Sequence, residues 1–166
     1  MPKVAVIMGS DSDFDVVKKC LITLERFDID YDVEVISAHR NPEKIFAFAK
    51  NAEANGIELI IGAAGKAAHL PGVIAGITPL PVIGIPIKTS FQGGMDSLLS
   101  IVQMPSGVPV ATVAVNGAEN AGVLAAQMLS IKYPELRAKM KAYKVQLNDE
   151  VEAKNDKLHK MIHEEA

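Results

Sequence analysis

What most constrains this chain is an alternation: short, unbroken apolar runs separated by segments whose apolar residues recur at spacings of three and four. Val4–Met8, Leu59–Ile61 and Val82–Ile87 are the runs, and unbroken apolarity over so few residues marks strands buried on both faces. Between them, Val17, Cys20, Leu21, Leu24 and Phe27 form one helical stripe, and Ile45, Phe46, Ala49 and Ala52 another. Tyr31–Ile36 alternates as a further strand, Val110–Val115 reads as a fifth, and a small-residue helix follows over about Ala118–Ile131. Pro42 suits a first helical position and Gly56 a C-terminal cap. Pro86 lacks an N–H, so the fourth strand is expected to end near it. The pattern predicts an α/β fold, a three-layer, doubly wound parallel sheet of the flavodoxin type.

Composition narrows the reading. With 166 residues, 49% hydrophobic and 22% charged, the chain can bury one substantial core. Aromatics are 5% and Trp is absent, so Ala, Val, Ile and Leu must fill that core. A net charge of −3 supplies no basic field for nucleic acid. The single cysteine, Cys20, excludes an intrachain disulfide and a multi-cysteine metal site, and its place on a helical stripe reads as packing. Val4–Met8 is too short for a signal peptide or membrane span, so a cytoplasmic protein without membrane attachment is expected.

From Pro134 the pattern changes to one long helix with Leu136, Met140, Tyr143, Leu147 and Val151 on a stripe. Residues 1–133 are thus read as the flavodoxin-like layer and 134–166 as a C-terminal helical arm. The arm either lies on its own domain or docks on another subunit.

In an open α/β sheet, ligands bind beyond the carboxyl ends of the strands. Here those ends carry Gly9-Ser10-Asp11-Ser12-Asp13, Ser37-Ala38-His39-Arg40 and Gly65-Lys66-Ala67-Ala68-His69. The first segment serves equally as turn and N-cap chemistry or as a site for phosphate and sugar hydroxyls. Its two aspartates also suit the magnesium site of a receiver domain, but the third strand ends in Ala63-Ala64 where that fold needs an aspartate. Arg40 beside a helix N-terminus offers a bidentate partner for phosphate. His69 lies in the small-residue loop Ala67–Gly72, where a lone histidine is commonly structural. The nearby Gly62, Gly65 and Gly72 favour close approach of a flat ligand. His159 and His163 stand four apart on the tail helix, with no third metal ligand nearby. No dinucleotide fingerprint, P-loop, nucleophile elbow or zinc-protease motif is present. The residues point to a small phosphorylated ligand and histidine proton transfer, without naming a reaction.

Four motifs in order carry a resemblance: Met8–Asp13, Ser37–Pro42, Ala67–Gly72 and Asp96–Pro105. Together, from about Val4 to Leu129, they resemble the N5-carboxyaminoimidazole ribonucleotide mutases, a branch of the aminoimidazole ribonucleotide carboxylase family. The resemblance implies a cofactor-free isomerisation in purine biosynthesis, moving a carboxylate from the exocyclic nitrogen to ring carbon 4. It implies His69 as proton shuttle and His39 beside the imidazole. It further implies Ser10, Ser12, Asp13, Ser37 and Arg40 around the ribose and phosphate, with Gly65, Lys66, Ala67, Ala68 and Leu70 completing the substrate site. No metal is implied. A homo-octamer is implied, with sites at subunit contacts and the tail reaching a neighbour.

The chain departs from that pattern at Lys66, where this branch has glycine and the direct carboxylase branch a basic residue. Phe14 replaces a common tryptophan, and Val115–Asn120 looks shorter than the family's segment. The alternatives are a carboxylase using the bare aminoimidazole ribonucleotide with carbon dioxide, a non-catalytic nucleotide- or flavin-binding module, and a structural oligomer.

Overall fold

The computed structural model describes residues 1–164. Five parallel strands form one sheet, β1 (Lys3–Met8), β2 (Asp30–Val35), β3 (Leu59–Ala64), β4 (Val82–Pro86) and β5 (Ala111–Thr112). Their spatial order, β2-β1-β3-β4-β5, is that of the flavodoxin-like doubly wound fold. Six helices accompany them: α1 (Phe14–Arg26), α2 (Pro42–Asn51), α3 (Leu70–Ala75), α4 (Met95–Val102), α5 (Ala118–Leu129) and α6 (Pro134–Glu164).

β3 and β4 are buried at every position, as apolar runs in the middle of a parallel sheet require. Two cores flank the sheet. Val4, Val6, Leu24, Phe27, Ile61, Ile83 and Ala125 belong to the side covered by α1 and α5. Ala5, Ile7, Ile45, Ile60, Ile74 and Ile101 belong to the other, covered by α2, α3 and α4. Cys20 is fully buried in the first core, and burial pushes its thiol up to about 12, so it packs and does not ionise.

Three local readings are corrected. β3 runs past the apolar run Leu59–Ile61 through Gly62–Ala64, and Ala67–Gly72 is not all loop because Leu70 opens α3. The two corrections share a cause. Pro71 near the helix start is compatible with a first turn, and α3 lies so close on β3 that a Cβ at Gly62 would stand 3.1 Å from Pro71 Cγ. β5 is the third, two residues in place of Val110–Val115. The backbone beyond it bonds to β4 only at separated points, Val113 N–H to the Gly84 carbonyl at 3.1 Å and Asn116 N–H to that of Pro86 at 2.8 Å.

β2 is an edge strand. Asp32 and Glu34 pair with Lys3 and Lys44, while Val33 and Val35 stand exposed. The tail is helical from Pro134, and its first turns lie on the body. Leu136 and Met140 are buried, Tyr143 meets Phe27 edge-on at a centroid distance of 5.5 Å, and Lys139 pairs with Asp28. From Lys144 to His163 every residue is exposed. Just before α6, Lys132 Nζ and the Tyr133 hydroxyl both donate to Glu58, at 2.7 and 2.5 Å.

Burial raises the Glu58 carboxyl, but the bonds from Lys132 and Tyr133 outweigh it and leave the group below the ordinary glutamate value of 4.5. A depressed carboxyl contributes stability that is present above the unfolded-state pKa and lost as pH falls through the folded one. Glu58→Gln is therefore expected to lower Tm at neutral pH, with the difference from the parent shrinking as pH drops below 4.5; thermal melts across pH measure it.

Candidate active site

The carboxyl ends of β1, β2, β3 and β4 surround a cavity of about 530 Å³, within the size range of small-ligand sites. At the end of β1 the Gly9 amide donates to the Ala63 carbonyl at 3.0 Å, tying this loop to β3. Ser10, extended at φ −153°, caps a short turn over Asp11–Asp13 by accepting from Ser12 N–H, and the Ser12 hydroxyl donates to Ser10 Oγ at 2.9 Å. Both serines also face the cavity, so capping and ligand-facing roles coexist. Asp13 is buried at the cavity wall.

At the end of β2, Ser37 Oγ accepts from Arg40 N–H at 3.2 Å, and Asn41 caps α2 ahead of Pro42. This tight turn presents His39 and Arg40 to the cavity, where both remain exposed. At the end of β3, Lys66 adopts a left-handed backbone, φ 57°, a conformation unusual for a residue with a side chain. The Ala68 and His69 amides then donate to the carbonyls of Lys66 and Ala67, at 2.9 and 2.8 Å. That compact loop sets His69 at the mouth of α3.

The two histidines, thirty residues apart, meet. His39 Nε2 lies 2.8 Å from His69 Nδ1, with the rings edge to face at 75°. One ring N–H donates to the other ring's lone pair, leaving His39 Nδ1 and His69 Nε2 as the outward nitrogens. When the outward nitrogen of the donating ring takes up a proton, the shared proton can cross and the other ring can release the proton of its outward N–H. The pair can thus give a proton at one position and take one at another.

The cavity collects nearly all the residues singled out from sequence: Ser10, Ser12, Asp13, Ser37, His39 and Arg40 from the first two strand ends, and Gly65, Lys66, Ala67, His69 and Leu70 from the third. Ala68 is not part of its wall; it is fully buried beneath the loop. Ile87, Lys88, Thr89 and Ser90, after β4, also line it and were given no role by sequence reasoning. The strand-end rule would have found Lys88, Thr89 and Ser90, since they follow the fourth apolar run directly.

Three cations, Arg40, Lys66 and Lys88, face one carboxylate, Asp13. Among the described residues none of the three is in an ion pair, which leaves the cavity an anion well in an acidic chain. Among the described residues no group of three or more His, Cys, Asp or Glu converges to hold a metal, and His159 and His163 lie exposed on the tail. No described helix is long and apolar enough to cross a membrane.

Burial raises the Asp13 carboxyl above its ordinary value of 3.8, and the charge of Asp11 adds to this; hydrogen bonds from Ser12 and the Ser10 backbone act the other way and do not cancel it. A raised acid binds its proton more tightly when folded, so its ionisation costs stability as pH rises through the shifted pKa. Asp13→Asn is expected to raise Tm at neutral pH, and the gain to fade at pH values where the parent carboxyl is protonated. Paired melts at neutral and acid pH check this.

The comparisons agree with the geometry. A family model described as AIR carboxylase matches residues 3–150. The N5-carboxyaminoimidazole ribonucleotide mutase of Thermotoga maritima is 58% identical over 165 residues, covering 99% of this chain and 96% of that protein. The protein of the same name from Pyrococcus abyssi is 59% identical over 144 residues, covering 87% and 83%. Among solved structures, Treponema denticola PurE superposes with a TM-score of 0.88 at 30% identity, covering 95% of this chain and 99% of that one. A parallel sheet ending in paired histidines and a cationic cavity, matched along nearly its whole length, places the chain in the AIR carboxylase family.

Proposed function

We propose that this protein is an isomerase of purine biosynthesis that converts N5-carboxyaminoimidazole ribonucleotide to 4-carboxy-5-aminoimidazole ribonucleotide. The observation that carries the reading is the direct contact of His39 with His69 inside the cationic cavity. The near full-length likeness to the Thermotoga maritima mutase supports it.

In this reading Arg40, with the hydroxyls of Ser10, Ser12 and Ser37, binds the phosphate, and Asp13 binds the ribose. The imidazole then lies against the histidine pair. His69 delivers a proton to the exocyclic nitrogen; the bond from that nitrogen to the carboxyl carbon breaks, its electron pair stays on nitrogen, and carbon dioxide is released. Ring carbon 4 attacks the carbon dioxide to form the new carbon–carbon bond. The proton left on carbon 4 returns to the pair, through His69 or through His39 and the shared hydrogen bond. The sequence is redox-neutral and returns each group to its starting state, so it calls for no cofactor. Gly65 and Ala67 offer a wall of small groups and backbone that keeps carbon dioxide next to the ring, a proximity effect.

The protein works as a homo-oligomer, and by family resemblance as an octamer in the cytoplasm. The stripe that buries Leu136 and Met140 continues through Leu147, Val151, Leu158 and Met161, which are exposed. A helix carrying such a stripe into water is marginal without a partner. Residues 144–164 are therefore an arm that docks on a neighbouring subunit, and the exposed Val33 and Val35 belong to another contact.

His69→Asn is expected to bind the ribonucleotide within a few-fold of the parent and to lose about 10²–10⁴-fold in kcat; near-normal turnover would remove His69 from the mechanism. Chain cut after Lys144 is expected to elute as a smaller assembly on gel filtration, and unchanged elution would refute the docking arm. The substrate is tested by comparing the N5-carboxylated ribonucleotide with the bare aminoimidazole ribonucleotide plus bicarbonate. Turnover of the first supports the mutase. Turnover of the second alone would instead assign Lys66 and its loop to direct carboxylation.

A further inference from the structure

The motif Asp96–Pro105 helps carry the family resemblance, yet Asp96 does not line the cavity. It lies in the first turn of α4, half-buried, and is the centre of a bonded cluster. Its Oδ1 accepts from the Thr89 hydroxyl at 2.7 Å and from Ser97 N–H at 2.9 Å. Ser97 Oγ is within 2.6 Å of the Ile87 carbonyl and 2.9 Å of that of Gly94, which pins both ends of the loop after β4 to the helix.

Thr89 reaches the other way as well. Its methyl Cγ2 stands 3.6 Å from where a Cβ on Gly65 would be, so it fills the space beside the first residue of the loop that carries His69. Thr89 is thus held between a carboxylate on α4 and the backbone of the catalytic loop. Ser100, one turn further along α4, bonds to the Asp96 carbonyl at 2.7 Å and approaches the Lys66 carbonyl at 3.4 Å. The left-handed Lys66 follows Gly65 directly, and such a conformation persists only where its surroundings enforce it.

We propose that Asp96 is a positioning residue. Acting through Thr89, it fixes the Gly65–Lys66 backbone and so the place of His69, without touching the substrate. The inference rests on the proposed reaction for its kinetic readout but not for its structural one. The groups assigned to phosphate and ribose stand on the opposite loops, so loss of this brace lowers kcat more than it raises KM.

Asp96→Asn keeps the Oδ1 acceptor and both hydrogen bonds, whereas Asp96→Ala removes them. The Ala variant is expected to lose about tenfold to a hundredfold in kcat, to change KM less than kcat, and to show faster amide hydrogen exchange over residues 65–69; Asn restores all three. If the Ala variant does not fold, Thr89→Val breaks the same bond from its other end while keeping the methyl beside Gly65, and the same losses are expected. A folded Ala or Val variant with parental exchange over 65–69 overturns the proposal, as does an Asn variant as impaired as Ala. If the parent itself fails to turn over the N5-carboxylated ribonucleotide, the proposed reaction falls, and the exchange comparison still decides the role of Asp96.

Discussion

The ladder between β1 and β3, closed at its carboxyl end by the Gly9 amide on the Ala63 carbonyl, is the contact on which the site depends. Parallel pairing forces these two strands to end side by side, and β2 and β4 then end beside them. The loops with hydroxyls, carboxylate, cations and histidines therefore open on one edge. Small residues let the layers approach. A Cβ at Gly84 would stand 2.4 Å from an Ile101 methyl carbon, just as one at Gly62 would meet Pro71. At both positions a larger residue would push α4 or α3 away from the sheet, and with them the supports of the His69 loop.

Much of this was legible in the sequence because it depends on local pattern. Unbroken apolar runs gave away the buried strands, stripes at three and four the covering helices, and polar clusters after the runs the edge that carries chemistry. Other features depend on contacts that no local pattern encodes. Neither His39 nor His69 announces its partner; they meet because β2 and β3 flank β1 on opposite sides and their loops lean together over its end. α3 was hidden because Pro71 and Gly72 read as a loop, although Leu70 and Ile74 sit one turn apart and are buried. Thr89 was missed since its role comes from two neighbours, Asp96 and Gly65, rather than from its own chemistry.

The site is also where the fold gives up stability. Asp13 is held in a burial that resists its charge, Lys66 sits in a strained backbone well, and three cations face each other across one cavity without ion-pair partners among the described residues. Such arrangements persist where function requires them and the surroundings hold them in place. Here the support comes from the buried strands below and from α4 at the side. The exposed stripe of the tail and the open valines of β2 are the apolar surfaces that the proposed assembly with another copy would cover.

In the proposed reaction one cavity releases carbon dioxide from nitrogen and captures it on carbon before it escapes. Substrate labelled in its carboxyl carbon, turned over in unlabelled bicarbonate, tests this directly. Retention of the label in the 4-carboxy product is the predicted result. Product whose carboxyl carries the isotopic composition of the medium would contradict the account.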